Sequence, residues 1–384
     1  MKKPFLVVIS CTMFVAAFTS CKKKDSDSPS PISETTTTTT TKTWLTLDGK
    51  QPLVIGHRGY AGLRPDHTVA GYVLAIEKGA DAIEPDLVMT KDSILICRHE
   101  PMLSNTTNVK DHAEFASKKS TKMLDGESIE DWFASDFTLA EIKTLRAIQP
   151  LSAAPNNRSK DFDGQFSIPT FEEVIELAKS ESSARGRVVN IYPETKHPTF
   201  HENLNLKITD KVLEMLTLAG WNNKNAPVFL QSFEVSNLKY ARTKSTVKIV
   251  QLYDANDVNA DGTLDMTAPS GQPYDFVVSG DKRTYNDFAK EAGLDFVKTY
   301  ADGIGPWKPY IIPYFNNAKL PTTDLIKRAH TKGLFVHVYT FRSEPHRLLT
   351  DYKGDPAAEY KAFYDLGVDG VFSDFPGDAV AARK

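Results

Sequence analysis

Two histidines stand where apolar runs end: His57 in Leu53-Val-Ile-Gly-His57-Arg58-Gly59, and His99 in Ile94-Leu-Ile-Cys-Arg-His99-Glu100-Pro101. Between them, Ala82-Ile-Glu84-Pro-Asp86-Leu-Val carries two carboxylates inside a run that otherwise has the composition of a buried strand. Side chains alternate across a strand, so a spacing of two sends Glu84 and Asp86 to one face. Burying such a pair is costly unless a cation sits with it. Imidazoles titrate near neutral pH and can give or take a proton. Two imidazoles beside a carboxylate pair suit acid–base chemistry at a metal-bound anion.

Strands must hold these residues. From Gln51 onward, short β-branched runs alternate with amphipathic stretches. Helices are expected at 170–178, near 208–219, around 235–242, near 285–292 and at 324–331. Strands are expected at 188–192, 228–232, 247–252, 335–339 and 368–373, and the short apolar runs at 276–279 and 296–298 continue the alternation. Such a succession implies an α/β fold with a parallel sheet. About eight strands with polar residues at their C-terminal ends favour a closed (β/α)8 barrel of the TIM type.

Two stretches depart from that rhythm. Residues 102–165 are polar and follow no strand–helix alternation, so they are expected to be an insertion after the His99 strand. Only Thr90-Lys91-Asp92-Ser93 links the Glu84 run to the His99 run, too little for a parallel crossover. An antiparallel hairpin centred between Lys91 and Asp92 is expected, pairing Glu84 with His99 and Asp86 with Cys97.

The first residues have the form of an export signal: a basic start at Lys2 and Lys3, then a mostly apolar run. Phe18-Thr-Ser-Cys21 resembles the lipobox of bacterial lipoproteins, which implies removal of residues 1–20 and a lipid on Cys21. Residues 21–43, with Lys22 to Lys24 and Thr35 to Thr41, offer almost nothing to bury and are expected to be a disordered tether. The folded part is then 44–384, and the protein is expected in the cell envelope, held by a lipid, facing either the periplasm or the outside. With Cys11 removed and Cys21 acylated, Cys97 has no partner for a disulfide, so a packed core must carry the stability. A net charge of −3 argues against a nucleic-acid-binding surface.

The ordered succession of His57-Arg58-Gly59, Arg64-Pro-Asp66-His67-Thr68, Glu84-Pro-Asp86-Leu-Val-Met-Thr-Lys-Asp, His99-Glu-Pro and Tyr192-Pro-Glu194-Thr-Lys196 resembles the glycerophosphodiester phosphodiesterase family. Gln231-Ser-Phe, Tyr300-Ala-Asp-Gly-Ile-Gly-Pro, Tyr339-Thr-Phe-Arg342 and Asp369-Gly-Val-Phe-Ser-Asp-Phe-Pro376 continue it to the C-terminus. The likeness is to the periplasmic bacterial type. It implies a barrel, a bound divalent cation, and hydrolysis of glycerophosphodiesters, such as glycerophosphocholine and glycerophosphoethanolamine, to sn-glycerol 3-phosphate and an alcohol.

The chemistry of the residues agrees. Glu84, Asp86 and Glu194 offer hard oxygen ligands, which suit Ca²⁺ or Mg²⁺ and disfavour zinc. The resemblance puts Ca²⁺ first. It also assigns His57 as the base that takes a proton from a substrate hydroxyl or water, and His99 as the acid that protonates the leaving alkoxide. Arg58 and Lys196 would complement the phosphodiester charge. Arg342 would contact substrate, and Trp307 and Phe375 would form a wall against the glycerol carbons. Asp66 stands where the family usually has Glu, Glu100 replaces a common Asp, and Arg98 precedes His99 where the family is more often apolar. Two other readings fit parts of the pattern: a phosphatidylinositol phospholipase- or sphingomyelinase-like phosphodiesterase, or a surface lipoprotein that only binds a ligand.

Overall fold

The computed structural model describes residues 43–150 and 158–384. The expected signal, residues 1–20, and the expected tether, except its last residue, lie outside the described residues. Among the described residues no helix is long and apolar enough to cross a membrane.

Eleven strands form one sheet. In chain order they are β1 (Leu53–Gly56), β2 (Ala82–Ile83), β3 (Asp86–Met89), β4 (Leu95–Cys97), β5 (Asn190–Ile191), β6 (Glu194–Thr195), β7 (Phe229–Ser232), β8 (Lys248–Tyr253), β9 (Gly303–Pro306), β10 (Phe335–Phe341) and β11 (Gly370–Ser373). Prolines interrupt two of the barrel strands, because a proline has no N–H for the ladder. Pro85 separates β2 from β3, and Pro193 separates β5 from β6. Counting each broken strand once, eight parallel strands run β1, β2/β3, β5/β6, β7, β8, β9, β10, β11. β11 pairs back onto β1, with Gly56 opposite Ser373, and Ile191 bridges Val228 beside β7, so the ring closes.

A helix follows each barrel strand: α1 (Val69–Glu77), α2 (Phe171–Arg185), α3 (Ile208–Leu218), α4 (Val235–Lys244), α5 (Glu291–Lys298), α6 (Leu325–Thr331), α7 (Pro356–Asp365) and α8 (Pro376–Ala382). Thr68 and Thr170 start α1 and α2 by accepting backbone N–H groups, and Glu173 completes a capping box. The expected (β/α)8 barrel is present.

Strand alternation divides the core in two. Val54, Ile83, Ile191, Leu230, Ile249, Val336 and Val371 point outward into the main core that also holds the buried helix residues. Ile55, Ala82, Tyr192, Phe229, Val250 and Phe372 form a separate cluster that plugs the barrel. That plug matters for what stands above it.

The β3–β4 hairpin exists, but its register differs by one residue from the expected pairing. Leu87 faces Cys97 and Met89 faces Leu95. Ser93 takes a left-handed φ of 61°, so the loop is a three-residue one ending in a left-handed residue, a common hairpin geometry. Arg98 rather than Cys97 consequently meets Asp86, donating its N–H to the Asp86 carbonyl at 2.9 Å. Glu84 does not pair with His99, which lies beyond the strand end.

The apolar runs at 276–279 and 296–298 are not strands. The first lies in a helix, Tyr274–Ser279, and the second in α5. Runs of three or four apolar residues carry no usable period. The barrel strand of this stretch is β9, whose Gly-Ile-Gly-Pro sequence hides its nature. The expected helix near 285–292 divides into Tyr285–Phe288 and the start of α5.

The insertion is polar only on average. Leu103, Val109, Phe115, Phe137, Ile142 and Leu145 form their own cluster against Val88 and Ile96, on the hairpin face opposite Leu87 and Met89. Arg98 ties it down: the fully buried guanidinium donates to the carbonyls of Cys97, Thr106, Asp66 and His67. Leaving buried carbonyls unpaired costs about 1–3 kcal/mol each. Arg98→Met should therefore lower unfolding free energy by about 3 kcal/mol or more, read from urea midpoints; a variant as stable as the parent would show that these bonds hold nothing.

Candidate active site

The site is the plug's continuation. Two residues beyond Ile55, Ala82, Tyr192, Phe229 and Phe372 come His57, Glu84, Glu194, Gln231 and Asp374, on the same inward faces. Asp86, two residues beyond Glu84, follows it to that side. Lateral pairing then aligns Asp86 with Glu194, and Glu194 with Gln231. Carboxylates from distant segments meet because the register of the barrel makes them neighbours.

Oxygens of Glu84, Asp86 and Glu194 lie within 4.8 Å of one another, and all three side chains are buried. Glu84 accepts from Gln231 Nε2 at 2.7 Å and from the Arg58 N–H at 3.1 Å. Asp86 Oδ2 accepts from His67 Nε2 at 3.0 Å, whereas Asp86 Oδ1 is buried without a partner. Glu194 Oε1 lies 2.9 Å from Lys196 Nζ. Burial and the charges of Asp86 and Glu194 hold Glu84 well above the usual carboxylate range. Burial, with Asp86 nearby, pushes Glu194 up to about 7 despite Lys196. Asp86 goes the other way: burial opposes its ionisation, but His67, His99 and Arg58 outweigh it. Three such carboxylates cannot all be ionised without added positive charge.

His57 Nδ1 lies 2.5 Å from Asp374 Oδ1, and its Nε2 lies 3.9 Å from Glu84 Oε2. With Nδ1–H donated to Asp374, Nε2 presents a lone pair toward the carboxylates. Burial keeps this imidazole neutral against the pull of Asp374. Asp374 also accepts from Arg342 Nε at 3.0 Å and from Arg158, and these cations keep it ionised although burial acts against it.

His99 has its Nδ1 2.6 Å from Glu100 Oε1 and accepts from Lys196 Nζ at 3.2 Å through Nε2. Burial, Arg58 and Lys196 push it down to about 3. Since 28% of its side chain still faces solvent, the two cations are the firmer cause.

Arg58 is held by Asp66 at 3.1 Å and lies 3.5 Å from Asp86. The shorter Asp at position 66 thus still orients the arginine. Arg58, Lys196, Arg342 and Trp307 line a cavity of about 620 Å³ together with both histidines and the three carboxylates. Phe375 does not line it. Its ring packs edge-on against Tyr60, 6.1 Å away, because it follows Asp374 by one residue and leaves the inward face. Tyr339, Phe233 and Tyr285 supply aromatic surface to the cavity instead.

Sequence reasoning missed three residues here. Asp374 sits in a quoted motif, but only the fold shows it beneath His57. His67 bridges Tyr72 and Asp86. Arg158 comes from the insertion, where no spacing signals a site.

For a hard divalent cation these residues fit. Every donor is a carboxylate oxygen, one buried oxygen lacks a partner, and two of the three groups hold protons more tightly than usual.

The chain is similar to known proteins over most of its length. A family model described as the glycerophosphoryl diester phosphodiesterase family matches residues 57–378. The chain is 36% identical over 344 residues to the glycerophosphodiester phosphodiesterase GDPD6 of Arabidopsis thaliana, covering 86% of each chain. It is 30% identical over 350 residues to a glycerophosphodiester phosphodiesterase of Haemophilus influenzae, covering 86% of this chain and 90% of that one. The fold resembles a solved Oleispira antarctica phosphodiesterase in complex with the product sn-glycerol-3-phosphate, with TM-score 0.54 and 19% identity over 88% of this chain and 98% of that one.

Metal binding at a half-protonated carboxylate must release protons. With Glu84 held well above the usual range and Glu194 near 7, Ca²⁺ titrated into chelator-treated protein at neutral pH should displace protons, and affinity should rise with pH through neutrality. Calorimetry in buffers of differing ionisation enthalpy reads both, and Glu84→Gln and Glu194→Gln should each reduce the release. Binding that is independent of pH would contradict the placement.

Proposed function

The chain belongs to the glycerophosphoryl diester phosphodiesterase family and is a phosphoric diester hydrolase, and on that premise we propose that it releases sn-glycerol 3-phosphate and an alcohol from diesters such as glycerophosphocholine and glycerophosphoethanolamine. One divalent cation, Ca²⁺ in preference to Mg²⁺, is held by Glu84, Asp86 and Glu194. The observation that carries this is the meeting of those three carboxylates, within 4.8 Å, between two histidines of neutral tautomer. The product bound in the Oleispira antarctica structure supports a small phosphate ester as ligand.

A bound cation would offset charge on the phosphoryl oxygens and favour the attacking oxygen's deprotonation. The chain's own residues do the rest. His57, oriented by Asp374, takes the proton of the attacking hydroxyl at Nε2. Arg58 and Lys196 face the anionic diester. In the free site Lys196 occupies His99 Nε2 and helps keep it unprotonated. An anionic diester beside Lys196 offsets that effect and raises the proton affinity of His99, which then takes a proton from solvent at Nε2 and passes it to the leaving alkoxide. Arg342 steadies Asp374 at the rim.

The same proposal covers location. Residues 1–20 act as a lipoprotein signal, Cys21 carries the lipid, and 21–43 tether the barrel in the cell envelope, as in the exported bacterial type. The basic start, apolar run and cysteine of the sequence support this reading. Cys21→Ala should move the protein from the membrane to the soluble fraction; an unchanged distribution would rule out the anchor.

Protein truncated before Cys21 should release glycerol 3-phosphate from both diesters, and a chelator should abolish the release. His57→Ala and His99→Ala should each lower kcat by about 10²–10⁴-fold. Undiminished turnover in either variant would remove that histidine from the mechanism, and chelator-resistant turnover would remove the cation.

A further inference from the structure

One turn of the insertion lines the cavity. Its hairpin, Ser120–Leu124 against Glu127–Asp131, reverses through Asp125 and Gly126, with φ of 48° and 88°. Two left-handed residues of the Asp-Gly type are what a tight two-residue hairpin requires. Leu124, Asp125, Glu127 and Ile129 line the cavity wall.

From that turn a continuous chain of contacts runs inward. Asp125 Oδ2 lies 2.7 Å from His197 Nδ1. His197 Nε2 lies 3.2 Å from Glu100 Oε2. The other oxygen of Glu100 lies 2.6 Å from His99 Nδ1. Carboxylates only accept, so both nitrogens of His197 carry protons and the ring is an imidazolium between two anions. His197 itself adopts φ 44° just ahead of the short helix Pro198–Asn203. A histidine keeps such a conformation where its surroundings hold it.

Glu100 would otherwise be a carboxylate with 29% of its side chain exposed, free to turn away from His99. With Oε2 fixed by His197, Oε1 stays aimed at Nδ1, and the imidazole edge that faces the cavity is set. We propose that Asp125 and His197 are positioning residues that act through Glu100 to orient His99, and that supplying Asp125 is a function of the insertion. The proposal rests on the reading of His99 as the acid.

The test is steady-state hydrolysis of glycerophosphocholine by the Ca²⁺-loaded protein. Asp125→Gly keeps the turn and removes the carboxylate, whereas Asp125→Asn keeps an acceptor oxygen. Asp125→Gly and His197→Ala should each lower kcat about tenfold or more, as loss of an outer orienting partner does, with KM changed less than about twofold. Asp125→Asn should recover most of the rate, and the Asp125→Gly/His197→Ala double variant should be no worse than the poorer single. In a His99→Ala background neither change should lower the residual rate. Losses that multiply in the double variant, that fall in KM, or that persist without His99 would overturn the proposal. If His197→Ala fails to fold, the Asp125 pair decides alone: equal rates for Gly and Asn overturn it. Full activity of His99→Ala would instead overturn the acid assignment, leaving the two failures distinct.

Discussion

Three carboxylates are buried within one another's reach, and the rest of the site answers that fact. Like charges at this distance in a dry environment suppress each other's ionisation. The protein meets this repulsion with Arg58, Lys196 and the hydrogen bond from His67 to Asp86, yet Glu84 and Glu194 remain hard to ionise. A compact divalent cation beside the unpartnered oxygen of Asp86 would offset that repulsion. The same charge is what an incoming phosphodiester oxygen needs.

The barrel makes the arrangement rigid. An apolar plug fixes the inward faces of its strands, and chemistry occupies the next inward position along several of them. Two prolines, Pro85 and Pro193, interrupt the ladder beside the three carboxylates. Arg58, Lys196 and Trp307 line the cavity from positions just beyond the strand ends, where this architecture usually keeps its site. The insertion adds a lobe with its own core that reaches the rim at Asp125.

Much of this was legible in the sequence because it is written in short spacings. Glu84 and Asp86, two apart on a strand, had to share a face, and Glu194 with Lys196 repeated the pattern. The barrel followed from alternation over many elements, which tolerates a few misread ones. The register of the β3–β4 hairpin was not legible, since a left-handed Ser93 adds one residue to the loop without a glycine to mark it. β9 was missed because two glycines and a proline carry no strand signal. Long-range partners were hidden for a different reason: Asp374 reaches His57 and Arg158 reaches Asp374 only through ring closure and the fold of the insertion.

The central claim is that Glu84, Asp86 and Glu194 together hold one divalent cation. The most direct measurement is a crystal structure of the protein soaked in Mn²⁺, with anomalous diffraction locating the metal. A single anomalous peak coordinated by oxygens of all three side chains, with Asp86 Oδ1 among them, is the predicted result. No peak there, or a peak bound elsewhere while the three carboxylates share protons, would contradict it.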